Sequence, residues 1–256
     1  MKILTHPNRI FSTDTSTPAT LVLTFLLTLA TWFAQAEDRG RDEANGQREQ
    51  GARVFPVDSR PYGHTYAEWA ERFWQRAVSI PADRNPALGN GTCAEGQSGP
   101  VWFVLGAFDA EIDCTVPVGK ALLIPPIAYE NDYPCPDPSF QPAPGQSLED
   151  FLTEGIRPYV DAVTAVTLEV DGQFVQNPMN FRVTTPLFYF TAAAGLTAFD
   201  PCLTGQPQPV VADGYWYLLP PLPPGRHVIH STFTIGAETS GNTIIINVQP
   251  KGGLHK

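Results

Sequence analysis

The sequence predicts a mainly β fold, an antiparallel β-sandwich or jelly roll with an N-terminal helix and one further helix. Three observations carry this reading. Proline supplies 26 of the 256 residues, about twice its usual share, which breaks long helices and favours short elements joined by turns. Seven short runs rich in β-branched and aromatic residues occur between Gly and Pro, without the strand–helix alternation of a parallel α/β sheet. Only two segments show a helical period. With 43% apolar residues, the chain can bury the core of one domain.

The elements follow in order. Lys2, His6 and Arg9 precede the uncharged run Leu21 to Ala34, and Ala34-Gln35-Ala36 has the small-x-small form of a signal-peptidase site. The run is 14 residues long, short of the roughly 20 that span a bilayer as a helix. Residues 1–36 therefore read as a signal peptide, removed to leave no integral membrane segment. Residues 37–53 carry five acidic and four basic side chains and no large apolar one, and read as a disordered charged linker. A single β-rich domain is expected over 54–250, followed by a tail over 251–256.

Within the domain, Tyr66, Trp69, Ala70, Phe73, Ala77 and Ile80 recur at helical spacing, so a helix is predicted from Tyr66 to Ile80. Thr65 and Glu68 form a capping box at its start, and Pro81 ends it. Trp74 lies about 140° round this helix from Trp69, at the edge of the apolar stripe, and is expected to be partly covered. A second helix should begin at Leu148 with Ser147 as cap, and Pro158 either kinks it or starts a new turn. Strands are expected at Val101 to Phe108, Ala121 to Ile124, Thr164 to Val170, Leu187 to Thr191, Tyr215 to Leu219, Val228 to Ile235 and Thr243 to Val248. Asp171-Gly172 is a tight-turn signal.

Charge and cysteine usage restrict the function classes. A net charge of −10 argues against nucleic acid as a partner, because the phosphate backbone repels an acidic face. Cys93, Cys114, Cys135 and Cys202 include no C-x-x-C pair and match no zinc or haem spacing. In an exported chain they should form disulfides. The pairing Cys93–Cys114 is favoured because each flanks the apolar run Val101 to Phe108, which leaves Cys135–Cys202. The expected location is secreted or periplasmic.

Several blocks resemble a known pattern. They are Tyr62-Gly63-His64-Thr65-Tyr66-Ala67-Glu68-Trp69, Gln97 to Phe103, Val116 to Pro125, Asp213-Gly214-Tyr215-Trp216 and Pro224 to His230. Together they resemble a family of exported bacterial proteins with an N-terminal Y-x-E-W helix followed by a β-rich domain. The resemblance implies export and a β-rich fold, and names no reaction. In that family the prolines after the Lys120 strand lead into Ile-Asn, where this chain has Ile127-Ala128-Tyr129-Glu130.

Candidate chemistry rests on a few groups. Glu68 and Trp74 share the first helix, where carboxylates and rings could meet a sugar. Glu130 and Asp132 fall in an acidic, Pro-flanked loop, and Asp213 and Trp216 in a later block. Oxygen ligands in such a loop would suit calcium, which takes about six to eight of them. Asp109, Glu111 and Asp113 alternate similarly but lack the EF-hand glycine and closing Glu. His64, His227 and His230 are the imidazoles within the domain and the candidates for a transition metal. His227 and His230 should point to opposite faces of one strand. No nucleophile elbow, phosphate loop or dinucleotide fingerprint occurs. The expected function is a disulfide-stabilised binding or structural module with a carbohydrate or cell-envelope partner. The alternative is an extracellular enzyme, either a carboxylate-based glycosidase or lyase or a metal-dependent hydrolase or oxidase.

Overall fold

The structure is a computed structural model that describes residues 51–198 and 200–250. The expected signal segment, residues 37–50 of the expected linker and the tail lie outside the described residues. The fold is mainly β, with ten strands in two sheets and two α-helices among the described residues. The first sheet runs β1 (Val101–Phe103), β3 (Ala121–Asp132), β8 (Gln208–Leu219), β6 (Arg182–Thr184), and β7 (Phe188–Phe190) also pairs with β8. The second runs β2 (Glu111–Pro117), β10 (Glu238–Gln249), β9 (Gly225–Ile235), β4 (Val163–Val170), β5 (Gln173–Phe174).

Eight strand pairs build these sheets, and two of them, β1 with β3 and β2 with β10, are parallel. Both sheets are therefore mixed. The chain leaves the first sheet after β1, runs through the second as β2 and returns as β3, so β1 and β3 point the same way. Strand β2 was not among the predicted strands; its alternation Glu111, Asp113, Thr115 outward with Ile112, Cys114, Val116 inward is a half-buried strand pattern. The run predicted over Val101 to Phe108 is strand only to Phe103. Asp171 and Gly172 have φ of 50° and 82° and turn β4 into β5, as a two-residue hairpin with both central residues left-handed requires.

Helix α1 (Tyr66–Ser79) has both halves of the Thr65–Glu68 capping box, and Ile80 is its C-cap. It lies against the first sheet, with the Phe73 ring 5.3 Å from Trp216 and 6.1 Å from Phe103. Helix α2 (Leu148–Asp161) starts on the Ser147 cap and contains Pro158. One hydrophobic cluster joins α1, both sheets and the inner side of α2. Val54, Phe55 and Val57 pack on it, and the Ala52 N–H donates to the Phe174 carbonyl at 3.0 Å, so the chain joins the fold at its first described residues.

The disulfides are Cys93–Cys114 and Cys135–Cys202. The first fastens the segment after α1 to β2. The second fastens the chain just beyond β3 to the loop before β8.

Candidate ligand-binding cleft

At one end of the sandwich the layer between the sheets opens into a cleft of about 600 Å³. One wall comes from the first sheet and α2, with Ile127 and Tyr129 of β3 beside Pro158 and Tyr159. The other comes from the second sheet and the β1–β2 connection, with Phe233 and Ile235 of β9, Glu238 and Ser240 of β10, and Phe108 and Asp109.

Local sequence chemistry sets these positions. Pro125 and Pro126 have no N–H to give the ladder, and the register between β3 and β8 slips between Ile124 and Ile127, leaving one extra residue on β3. Side chains alternate along a strand, so the slip exchanges the two faces beyond it. Ile127 and Tyr129 then point into the inter-sheet layer, while Glu130 and Asp132 turn to the side of Trp216 and α1. Because α2 continues through Pro158, Tyr159 comes to lie over Tyr129, with ring centroids 5.8 Å apart and planes tilted 44°. Across the cleft, Phe108 and Phe233 meet edge to face at 5.5 Å and 69°, a favoured aromatic geometry. Asp109 holds φ of 53°, a left-handed conformation that Asp tolerates. Its Oδ1 accepts from the Gly241 N–H at 3.0 Å, and Asn242 Nδ2 donates to the Ala107 carbonyl at 2.9 Å. These two bonds pin the Phe108 loop to β10.

The cleft combines aromatic rings with negative charge. Burial, and then Tyr159 nearby, push the Tyr129 phenol up, so it stays protonated. Asp109 and Glu238 are exposed carboxylates, Ser240 adds a hydroxyl, and none of the lining residues is Lys, Arg or His. A second hollow of about 410 Å³ on the outer face of the second sheet shares Asp109 and is lined by Glu111, His230, Thr232 and Thr243.

The residues singled out in the sequence lie elsewhere and do not converge. Glu68 closes the α1 capping box and faces Arg60 at 3.4 Å and His64 at 3.8 Å. Its carboxyl is held below the usual range, first by the Thr65 N–H. Trp74 and Trp216 are each 0% exposed, so neither offers a ring face to a ligand. Trp74 is covered rather than at an open edge because β7 and the chain just after it lie along that flank of α1. Gln75 Nε2 donates to the Tyr189 carbonyl at 3.0 Å, and the Ala193 N–H donates to the Val78 carbonyl at 2.8 Å.

Glu130 and Asp132 belong to β3, not to a solvated loop, and each is 1% exposed. Neither Glu130 oxygen has a hydrogen-bond partner. Burial first, then the charges of Asp132 and Asp200, push its pKa well above the usual carboxylate range. Burial, followed by Asp200, pushes Asp132 up to about 8, although its Oδ2 accepts from Gln208 Nε2 at 2.8 Å. Neither carboxyl lines the cleft or the outer hollow. Asp213 is buried on β8 and takes Arg182 in bidentate fashion, with Nη2 to Oδ2 at 2.7 Å and Nε to Oδ1 at 3.2 Å. Arg182 also reaches Asp161 at 2.6 Å, so this network ties α2 to the sheet.

The three histidines are separate. His64 packs edge-on against the Trp69 ring. His227 bonds Asp171 at 2.6 Å and the Pro223 carbonyl at 2.9 Å. His230, on the opposite face of β9, sits 3.3 Å from Thr243 Oγ1. Among the described residues no three His, Cys, Asp or Glu side chains are grouped to hold a metal ion. The cleft residues Phe108, Tyr129, Tyr159 and Phe233 were not singled out in the sequence. The one signal there was the acidic alternation that begins at Asp109.

No family model and no curated protein matches the chain. Among solved structures the chain is similar to amebosin, known from a solution structure, with 11% identity over 55% of this chain and 91% of that chain, at a TM-score of 0.17. It is also similar to PbICP-C, solved in complex with falcipain-2, with 15% identity over 60% of this chain and 100% of that chain, at a TM-score of 0.21. Both TM-scores are too low to bear on fold or function.

Proposed function

We propose that this chain is an exported, disulfide-stabilised binding module whose ligand site is the aromatic mouth of the sandwich. The observation that carries the reading is the cleft itself: about 600 Å³, with two aromatic pairs on walls from the two sheets and polar groups at the rim. Pockets for small molecules join an apolar lining to a few polar groups in this way. Ring faces of this kind take the apolar side of a sugar or another small amphipathic molecule, as expected for a glycan or envelope component. The two disulfides support an oxidising compartment, and the small-x-small site at Ala34–Ala36 supports export. Among the described residues no helix is long and apolar enough to cross a membrane.

The test is a ligand screen by NMR chemical-shift perturbation, using sugars and small cationic, neutral and anionic metabolites. Hits should move resonances of Tyr129, Tyr159 and Phe233. Tyr159→Ala and Phe233→Ala should each weaken binding about tenfold or more, since each removes a ring worth on the order of 1 kcal/mol beyond its buried area. Binding unchanged in both variants would place the ligand elsewhere and overturn the reading.

A further inference from the structure

We infer that the ligand of this cleft is an organic cation, a substituted ammonium group held among the rings; the inference rests on the cleft being a binding site. Three features of the site converge on positive charge. The first is the arrangement of the rings. Tyr129 and Tyr159 on one wall are tilted by 44°, and Phe108 and Phe233 on the other by 69°. The two pairs stand on opposite walls of one space. Aromatic walls attract a cation through the ring quadrupoles, and quaternary ammonium groups are bound among several rings.

The second is the sign of the rim. The charged residues lining the cleft are Asp109 and Glu238, and no Lys, Arg or His accompanies them. Asp109 is fixed in place: its backbone φ is 53° and its Oδ1 accepts from the Gly241 N–H at 3.0 Å. One oxygen of this carboxylate is thereby oriented by the protein, while the residue remains exposed to solvent. The third is the neighbouring surface. The outer hollow that shares Asp109 adds Glu111, beside His230. An anionic ligand would meet the carboxylates of Asp109 and Glu238 at the rim, and a cation is drawn to them.

The chemistry also limits which cations fit. A small, strongly hydrated ion such as sodium or calcium needs a shell of oxygen atoms, which these rings do not supply. A substituted ammonium is large and weakly hydrated, and its methyl groups gain from the apolar walls at Ile127 and Ile235. Of the two ligand classes, neutral sugar and organic cation, the site favours the cation.

The experiment compares choline with its uncharged carbon isostere, the alcohol in which a tert-butyl group replaces the trimethylammonium group. Both are titrated calorimetrically into the intact protein at low and at physiological salt. Choline should bind about tenfold tighter than the isostere, and its affinity should fall as salt rises while the isostere's does not. Glu238→Gln and Asp109→Asn should each weaken choline several-fold and leave the isostere unchanged. Asn keeps an oxygen for the Gly241 N–H and tolerates the left-handed backbone, so the loop survives the second change. Equal affinity for the two compounds, or tighter binding of a neutral sugar that survives both substitutions, would overturn the cation assignment while leaving the cleft as the site. Failure of every probe to shift the cleft resonances would instead overturn the reading on which it rests.

Discussion

At the scale of single residues, three buried or half-buried ionisable groups make the fold sensitive to pH in one direction. Glu130 and Asp132 are ionised in the unfolded chain above their ordinary values near 4 but held neutral in the fold by burial and by neighbouring carboxylates. The folded state then binds more protons than the unfolded one, so stability falls as pH rises from about 4 toward about 8. His227 adds to the same trend. Burial lowers its pKa, but the hydrogen bonds to Asp171 and the Pro223 carbonyl outweigh that and raise it above the ordinary 6.5. Both ring nitrogens face acceptors, so the imidazolium is the form the site holds. Its stabilisation is complete below about 6.5 and is lost as pH rises through the raised folded value. The melting temperature should therefore fall as pH rises from about 4 through about 8. Glu130→Gln should flatten that slope from about pH 4 upward, and His227→Gln only above about pH 6.5. A melting temperature that rises over this range, or a slope untouched by both substitutions, would refute the assignment. A histidine after Pro-Gly at the start of a strand is in sequence already a candidate for fixing the turn by a hydrogen bond, as His227 does. Glu130 and Asp132, by contrast, read as an exposed acidic loop because proline on both sides marks a loop in sequence. The ladder with β8 instead carries the strand past Pro125 and Pro126 by way of a bulge.

At the scale of elements, α1 is the best-read part of the chain and also the place where periodicity alone fell short. Its start, cap and apolar stripe follow directly from Thr65, Glu68 and the spacing of Tyr66, Trp69 and Phe73. A stripe describes one contact face, however, and α1 has two. The sheet covers Trp69 and Phe73, and the Tyr189–Ala193 segment, about a hundred residues away in sequence, covers the flank beyond. Trp69 is 4% exposed, with Nε1 donating to the Pro61 carbonyl at 3.1 Å, and Trp74 is 0% exposed. Both are core residues. Trp69→Ala and Trp74→Ala should each cost about 3–5 kcal/mol in chemical denaturation, as large-to-small core changes do. Neither should change ligand affinity at temperatures where the variants remain folded, because neither ring lines the cleft. Loss of binding by a folded Trp74→Ala variant would draw α1 into the site.

For the whole molecule, the strand-rich fold with two helices and the disulfide pairing were legible, whereas the mixed topology and the cleft were not. Local pattern reveals which face of a strand is buried, but β2 joins β10 across more than a hundred residues and β1 joins β3 only after a passage through the other sheet. The cleft is likewise assembled from four separate stretches of chain, so its rings look in sequence like ordinary core aromatics. The two disulfides act on this same long-range connectivity and should contribute unequally. Cys93–Cys114 closes a loop with a sequence separation of 21, and Cys135–Cys202 one of 67. By loop-closure entropy the shorter restrains the unfolded chain by about 3 kcal/mol and the longer by about 4 kcal/mol. The longer bridge fastens β3 to the chain leading into β8, two strands already held together along their length by a ladder. Its removal should therefore act on the unfolded chain and leave the folded geometry in place. Replacing Cys135 and Cys202 by Ser should lower stability in urea more than replacing Cys93 and Cys114, with cleft affinity preserved in the folded protein. The reverse order of stability would mean that Cys93–Cys114 holds native contacts of its own around α1 and β2, beyond the entropy of the loop it closes.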